Sequence, residues 1–259
     1  VKKKYLRQEF DAIKIYVSDI AGLRDISISV EKLRTIEKCF DVDIPIYKKY
    51  IIDKKLNPLM LCTAEGDETI GFDADINLKI KSISSSQDNL IKNPKILALD
   101  IETYNERRYP NEEKDPILMI SFYGSEGFSK VITWKKFDNP KKYIEFVNDE
   151  GELLLRFKEI IKEYKPDYIT GYFSDGFDLP YILARSEKFN INIDIGLDNT
   201  KPRITRKQNV IHTKIIGIPH IDIYKFIKLV MMNTLDIDRY DLNTVSREIL
   251  NDGKTDVDI

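Results

Sequence analysis

Two carboxylates lie inside a stretch of apolar residues that has the pattern of a buried strand. The stretch reads KILALDIET from Lys95 to Thr103, with Asp100 and Glu102 two positions apart. Residues i and i+2 of a strand project from the same face, so these two side chains lie side by side while Ile101 points the other way. Two like charges at this spacing repel each other unless a cation lies between them. An isolated Asp-x-Glu is more often the exposed end of an edge strand, so the pair alone does not define a site.

A second acidic segment, YITGYFSDGFDLPYI at Tyr168–Ile182, strengthens the case for a site. It has the pattern of another apolar strand that ends in a glycine-containing turn, and Asp178 begins the helix that follows. The helix N-terminus would hold this carboxylate in a fixed orientation, whereas we interpret Asp175 as a turn or capping residue. If the two strands are neighbours, Asp100, Glu102 and Asp178 converge at their ends. Carboxylate oxygens suit Mg²⁺ or Mn²⁺, and three of them around a cleft favour two-metal phosphoryl chemistry.

Composition sets limits on what the chain can do. Its 259 residues suffice for one large domain or two smaller ones. The net charge is −2, so a nucleic acid would have to bind a local basic surface. Cys39 and Cys62 form no disulfide framework and indicate thiols in a reducing compartment. No apolar run is long enough to cross a bilayer, and the first ten residues lack the apolar core of a signal peptide.

The first part of the chain, residues 1–90, is expected to be part of a small α+β domain. Alternating polarity over 12–19 predicts a half-buried strand, and apolar spacing over 28–40 predicts a helix. Residues 43–56 are strand-like at first and then helical. The polar, serine-rich segment 82–94 is expected to be a linker or domain edge.

The second part, residues 91–259, alternates strands and helices. Three antiparallel strands (KILALDIET, PILMISFYG and KVITW) precede the amphipathic helix GELLLRFKEIIKEY, the strand DYITGY and a helix that begins at Asp178. A hairpin, a fifth strand in HIDIY and two further helices follow. This order predicts an α/β fold with a mixed sheet flanked by helices, arranged as in ribonuclease H-like proteins, although a fold alone assigns no activity. The apolar face of the long helix is predicted to comprise Leu153, Leu154, Phe157, Ile160 and Ile161.

Five blocks in order, LALDIETYN, DPILMISFY, VITW, PDYITGYFSDGFDLPYILAR and HIDIYKFI, resemble the 3′–5′ proofreading exonuclease domain of family B DNA polymerases. The archaeal and eukaryotic replicative enzymes are the most similar, and DIPIYKKYIIDKKLNP resembles the end of the N-terminal domain of the same family. The resemblance places Asp100 and Glu102 in the first exonuclease motif and Asp178 in the second. It implies two Mg²⁺ or Mn²⁺ ions per complete site, with Asp100 bridging both, Glu102 binding one and helping to position water, and Asp178 binding the other.

The chain departs from this family in two places. The second motif usually has an Asn that helps to place the substrate strand, and Phe173 occupies that position. The third motif, Tyr-x-x-x-Asp, does not occur in the 259 residues. We therefore expect a fragment of a longer polymerase, truncated before the third motif and without the start of the N-terminal domain.

Residues outside the three acids also fit DNA binding. The segment KPRITRKQNVIHTK has no acid, and the resemblance favours DNA contact through Arg203, Arg206 and Lys207, although most basic runs are only solvated surface. Unpaired bases stack on aromatic rings, which makes Phe173, Phe177 and Tyr181 candidates for DNA contact, with core packing the equally good alternative. His220 and Asp222 are interpreted as structural.

The resemblance implies a DNA-directed DNA polymerase whose exonuclease domain hydrolyses single-stranded primer 3′ ends. Its implied partners are primer-template DNA, the remaining polymerase domains and a sliding clamp bound through other regions, with no membrane. The expected location is the cytoplasm of a prokaryote, in particular an archaeon, or the nucleus of a eukaryote. Two alternatives stay open: a free-standing DEDD-type exonuclease, and a decayed, non-catalytic domain kept for DNA binding or for structure.

Overall fold

A computed structural model describes residues 1–5, 7–19, 21–58, 60–71, 75–90, 92–105, 109–207 and 210–253. The chain divides into two compact units, residues 1–66 with 80–91, and residues 67–79 with 92–259. The domain boundary between residues 90 and 91 that the sequence suggests stays a prediction. The last six residues of the predicted exonuclease domain lie outside the described part of the chain.

The first 90 residues contain short elements. These are the strands β1 (Lys2–Tyr5), β2 (Gln8–Asp11), β3 (Met60–Glu68) and β4 (Leu78–Leu90), and the helices α1 (Leu23–Glu31) and α2 (Ile46–Asp53). β1 pairs with β2, and β3 pairs with β4.

Two expectations for this region are wrong. Residues 12–19 form no strand, and their alternating apolar side chains are mostly exposed; Tyr16, for example, is 81% exposed. The helix predicted over 28–40 instead begins at Leu23 and ends at Glu31. The segment 82–94, expected to be a linker or domain edge, is occupied by β4 as far as Leu90, and the division between the two compact units falls inside it, after residue 91. Its backbone pairs with β3, and pairing of this kind does not depend on apolar side chains.

The second unit is built on a six-stranded mixed sheet with the order β12-β9-β5-β6-β7-β8. β5–β6 and β6–β7 are antiparallel, whereas β7–β8, β5–β9 and β9–β12 are parallel. The predicted α/β fold with three antiparallel strands followed by alternating helices and strands is confirmed, and β8 is the strand that the sequence did not reveal. The bounds are β5 (Ile96–Thr103), β6 (Ile117–Gly124), β7 (Ser129–Thr133), β8 (Ile144–Phe146), α3 (Glu150–Tyr164), β9 (Tyr168–Gly171), α4 (Asp178–Lys188), β10 (Arg203–Lys207), β11 (Val210–Lys214), β12 (His220–Asp222), α5 (Ile223–Phe226) and α6 (Leu242–Leu250).

The long helix α3 packs against the sheet through the face that the sequence predicts. All five residues of that face are at most 1% exposed. Asp149 caps the first turn by accepting a hydrogen bond from the Glu152 N–H at 2.9 Å. The helix ends where Lys165 adopts a left-handed conformation before Pro166. Among the described residues, no helix has both the length and the apolar character needed to cross a membrane.

A buried ion pair joins α3 and α4 to the start of β6. The side chains of Glu150 and Arg185 are 6% and 4% exposed. Arg185 Nε donates to Glu150 Oε1, and Arg185 Nη2 donates to Glu150 Oε2. Glu150 Oε1 also accepts a hydrogen bond from the Ile117 N–H at 2.8 Å, and Arg185 Nη1 donates to the Glu112 carbonyl at 2.9 Å. Because every strong donor of this pair has a partner, the pair fixes α4 relative to the sheet.

Replacing Arg185 with Met should destabilise the protein by about 3–5 kcal/mol, because Glu150 would then be buried without its cation. The double variant Glu150→Leu with Arg185→Met should recover much of this loss. Urea unfolding measures the free energy of unfolding. Lys201→Met, which breaks an exposed ion pair with Glu187 at 3.2 Å, is the control and should cost less than about 1 kcal/mol. Equal losses in Arg185→Met and the control would contradict the structural role of the buried pair.

Candidate active site

The neighbouring parallel strands β5 and β9 bring the two acidic segments to the same end of the sheet, where both strands terminate. Leu97 pairs with Ile169 and Ala98 with Thr170, so both strands run toward one end. Asp100 and Glu102 lie near the end of β5, and Asp178 begins α4 after the turn that follows β9. The condition on which the sequence argument depended, that these two strands are neighbours, is therefore met.

Asp178 is held against the backbone that separates the other two acids. Its Oδ1 accepts a hydrogen bond from the Ile101 N–H at 3.0 Å, and the residue is only 3% exposed to solvent. Asp100 and Glu102 are on the exposed face of β5, whereas Ile101 is 5% exposed and packs in the core. Asp178 therefore lies beside the backbone of β5 between Asp100 and Glu102, near the end of that strand.

The surroundings of Asp178 disfavour the ionised form of its carboxyl group. Burial, with the nearby charge of Asp100 as the second cause, raises its pKa from 3.8 to about 7. The hydrogen bond from Ile101 opposes this shift but does not cancel it. A divalent ion would relieve the repulsion, since it stabilises the ionised carboxylate.

The donor chemistry of this edge fits a hard divalent cation, because all three side chains offer carboxylate oxygens. Among the residues that the structure describes, however, no three His, Cys, Asp or Glu side chains are arranged closely enough to hold a metal ion by themselves. Asp100, Glu102 and Asp178 are thus a set of potential ligands and not a closed metal cage. Substrate or water oxygens would have to complete the coordination, as is usual for Mg²⁺.

Asp175 lies only three residues before Asp178 but has the opposite environment. Its Oδ1 accepts the Thr213 N–H of β11 at 2.6 Å, and its Oδ2 pairs with the Lys225 ammonium, which also donates to the Ile211 carbonyl. Burial alone would raise the pKa of Asp175, but the facing His220 ring, Lys225 and Thr213 hold the pKa far below its usual range. Asp175 is therefore more than the turn or capping residue expected from the sequence, because it anchors β11 and α5 to the turn that carries Asp178.

Ser174, His220 and Asp175 have the order of a hydrolytic triad but not its function. Ser174 Oγ lies 2.9 Å from His220 Nε2, and His220 Nδ1 lies 3.2 Å from Asp175 Oδ1 in a direction that is poor for a hydrogen bond. Ser174 is fully buried, so no substrate reaches its hydroxyl. Lys225 already pairs with the carboxylate. The cluster is structural, as the sequence suggested for His220.

Asp222 is a structural residue that organises the turn after β9. Its Oδ1 accepts the N–H groups of Phe173 and Tyr224, each at 3.0 Å, and its Oδ2 accepts the Asp175 N–H at 3.2 Å. The position before a helix is the sequence signal for its capping of α5. No sequence signal indicated its bonds to the turn at 173–175 or the partnership of Lys225 with Asp175, since about 50 residues separate these groups.

The predicted DNA-contacting residues fall into two groups. Arg203, Arg206 and Lys207 are exposed on β10, which pairs with β11; residues 208 and 209 lie outside the described part of the chain. Among the aromatic residues, Phe173 is 47% exposed and Phe177 packs partly against the core. Tyr181 is 4% exposed and its hydroxyl donates to the Asp115 carbonyl, so this burial does not support the prediction that it stacks on a base.

We expect Asp178→Asn to stabilise the metal-free protein at pH 8 and to have little effect at pH 3. The folded-state pKa of Asp178 is raised, so the stability that its protonated form contributes is fully present below the unfolded pKa of 3.8 and is lost progressively as the pH rises from there through about 7. Thermal unfolding in EDTA at several pH values measures the difference, which the pKa shift limits to about 4 kcal/mol. Asp138→Asn, at an exposed position, is the control. A difference between Asp178→Asn and wild type that does not change with pH would contradict the raised pKa.

Asp175→Asn should loosen the hairpin and destabilise the protein by about 2–3 kcal/mol at pH 7, because the hydrogen bonds that it would lose involve charged groups. The folded-state pKa of Asp175 is depressed, so its contribution is present above pH 4 and decreases as the solution becomes more acidic. Hydrogen exchange at the Thr213 amide, which donates to Asp175, should be faster in the variant. Glu187→Gln, in an exposed pair, should leave that exchange rate unchanged. Equal exchange rates in both variants would show that Asp175 does not anchor β11.

Comparisons with known proteins identify the family of the chain. Residues 37–245 match the family described as DNA polymerase family B, exonuclease domain. The chain is 35% identical over 263 aligned residues to a DNA polymerase of Pyrococcus glycovorans, a match that covers 99% of this chain and 28% of that protein. It is 36% identical over 230 residues to a DNA polymerase of Methanocaldococcus jannaschii, covering 86% of this chain and 12% of that protein.

A solved structure shows the same fold. The family B DNA polymerase of the hyperthermophilic archaeon Pyrobaculum calidifontis superposes with a TM-score of 0.68 at 22% sequence identity, over 88% of this chain and 28% of that one. The chain thus spans between 12% and 28% of the length of these relatives. Because the family match extends over most of its residues, the chain belongs to the family B DNA polymerases and carries their exonuclease domain.

Proposed function

We propose that this chain is the proofreading part of a DNA-directed DNA polymerase, a 3′–5′ exonuclease that acts on single-stranded primer ends. The observation that carries the proposal is the hydrogen bond from the Ile101 N–H to Asp178. This contact joins Asp178, at the start of α4, to the backbone of β5 between Asp100 and Glu102. A buried acid with a raised pKa near another acid is typical of functional sites.

The reaction is the hydrolysis of the last phosphodiester of the strand. Water adds to phosphorus, the bond to the preceding 3′ oxygen breaks, and the products are a mononucleotide that keeps the phosphate and a strand with a 3′-OH. Exonuclease domains of this family generally use divalent metals, which would supply a hydroxide from bound water and stabilise the leaving oxygen. Asp100, Glu102 and Asp178 would hold two Mg²⁺ or Mn²⁺ ions, and the Ile101 amide orients Asp178 for this task.

The strand would reach the acids along the basic hairpin. Arg203, Arg206 and Lys207 are exposed there, and Lys225 with Asp175 ties the hairpin to the turn before Asp178. Contacts of such residues with phosphates would position DNA without sequence preference. Phe177 would contribute mainly by packing, since it lies against the core.

The wider proposal follows from the relatives, which are archaeal DNA polymerases several times longer than this chain. The partners would be primer-template DNA, the remaining polymerase domains and a sliding clamp, in the cytoplasm of an archaeal cell. A free-standing exonuclease is the weaker alternative, because the family match extends back to residue 37, before the α/β sheet.

One observation favours a second candidate function, a decayed domain that binds DNA without cutting it. Phe173 stands where the resemblance expects an Asn that places the substrate strand. The described residues also lack a closed group of metal ligands. A measurement of DNA hydrolysis distinguishes this candidate, which would not cut DNA, from the proofreading nuclease, which would.

In the polymerase that contains this chain, Asp100→Asn should reduce degradation of 5′-labelled single-stranded DNA with Mn²⁺ by more than about 100-fold, since the metals supply several kcal/mol of stabilisation to the transition state. Asp138→Asn, exposed and outside the site, should cut at the wild-type rate. Binding of Mn²⁺, followed by electron paramagnetic resonance, should weaken in Asp100→Asn only. Equal and slow degradation by wild type and both variants would favour the decayed domain.

A further inference from the structure

The most unusual residue near the acids is Phe173, in the turn after β9. Its φ angle is +62°, a left-handed conformation that is a genuine outlier for a bulky residue. Nevertheless its ring is 47% exposed, so burial of the ring does not explain why the strain is tolerated. Strained backbone that the surroundings hold in place is often found where a ligand binds.

The turn holds this conformation with several contacts. The Phe173 N–H donates to Asp222 Oδ1 at 3.0 Å, and its carbonyl accepts the N–H groups of Gly176 at 2.9 Å and of Phe177 at 3.0 Å. The ring lies directly over Gly176, where a Cβ atom would be 2.4 Å from it. The turn therefore fixes the ring in an exposed position, and a side chain at position 176 would displace it.

A second ring supports Phe173 from the side. Tyr224 meets it edge-on, with centroids 5.1 Å apart and planes at 81°, and the Tyr224 N–H binds the same Asp222 oxygen. Lys228 is exposed, and its ammonium lies 5.3 Å from the Tyr224 ring and 5.6 Å from the Tyr240 ring. Phe173, Tyr224 and Lys228, which we call the aromatic platform, thus combine an exposed ring, its support and a positive charge.

The aromatic platform lies beside the proposed catalytic acids. The Phe173 carbonyl binds the N–H of Phe177, which directly precedes Asp178. Asp222, which accepts hydrogen bonds from the backbone N–H groups of Phe173 and Tyr224, is close enough for its charge to act on Asp178. An unpaired nucleotide whose phosphate reached the acids would have its base within the neighbourhood of this ring.

We propose that Phe173, supported by Tyr224, stacks on the base at the 3′ end of a single DNA strand, and that Lys228 contacts a backbone phosphate. Stacking on an aromatic ring tolerates every base, as a proofreading site requires. This inference rests on the proposed function for the identity of the strand, but binding of the strand does not require hydrolysis.

The test uses the 259-residue chain and a single-stranded oligothymidine that carries 2-aminopurine at its 3′ end. Titration in EDTA prevents cleavage and reports stacking as a loss of 2-aminopurine fluorescence. Phe173→Leu keeps an apolar side chain but removes the ring, so we expect about tenfold weaker binding and loss of the quenching. An oligonucleotide with 2-aminopurine at its 5′ end should show less quenching with the wild-type chain.

Phe137→Leu is the matched control, because Phe137 is 48% exposed and also meets a ring edge-on, that of Phe146 at 5.3 Å. It should bind like wild type. Equal binding by both Leu variants would overturn the proposal, as would tighter binding by Phe173→Asn, which would show that the ring obstructs the strand. If the chain binds the 3′ base through Phe173 but the polymerase that contains it degrades no DNA with Mn²⁺, the aromatic platform stands and the proposed hydrolysis is refuted.

Discussion

The hydrogen bond between the Ile101 N–H and Asp178 is the contact on which the arrangement of the site depends. It satisfies a backbone donor of β5 with a side chain from the start of α4, so the helix cannot move along the sheet without leaving a buried amide unpaired. The same contact forces a carboxylate into a buried place near Asp100, where its ionisation is unfavourable. The buried pair of Glu150 and Arg185 fixes the same helix further along. The interactions that stabilise the fold thus keep Asp178 close to Asp100, although their negative charges repel each other.

Three Asp residues near this edge differ in chemistry because of their neighbours. Asp178 faces another acid, so burial and repulsion raise its pKa. Asp175 faces Lys225, His220 and an N–H, so it stays ionised although it is 4% exposed. Asp222 accepts three backbone N–H groups and serves to position them. Only Asp178 lies where its ionised form is disfavoured, and such a carboxyl group is typical of functional sites, whereas protein donors stabilise the other two acids.

Much of the fold could be predicted from the sequence because local patterns and packing agree in the second unit. The apolar face of α3 and the strand containing Ile101 follow directly from periodicity, and their burial confirms it. Residues 12–19 alternate in the same way but have no sheet to join, and only tertiary structure reveals that difference. Likewise β4 is stabilised by its pairing with β3, which the serine-rich sequence of residues 82–94 does not indicate. The position of Asp178 beside β5 was predictable once β5 and β9 were assumed to be neighbours. The hydrogen bonds that Asp175 and Asp222 form with their partners were not predictable, since they link residues about 50 positions apart.

Phe173 is where the local and the global preferences of the chain disagree. Asn tolerates a left-handed backbone much better than Phe does, because its short polar side chain bonds locally. The chain accepts about 1–3 kcal/mol of strain at this position, and Asp222, Gly176 and Tyr224 are arranged so that the ring has a defined place. A position that had merely lost its function would not require a glycine under the ring and an acid to hold its amide. These contacts therefore argue that the Phe173 ring has a function. By stacking on a base, the ring would position the strand, as an Asn would by hydrogen bonding.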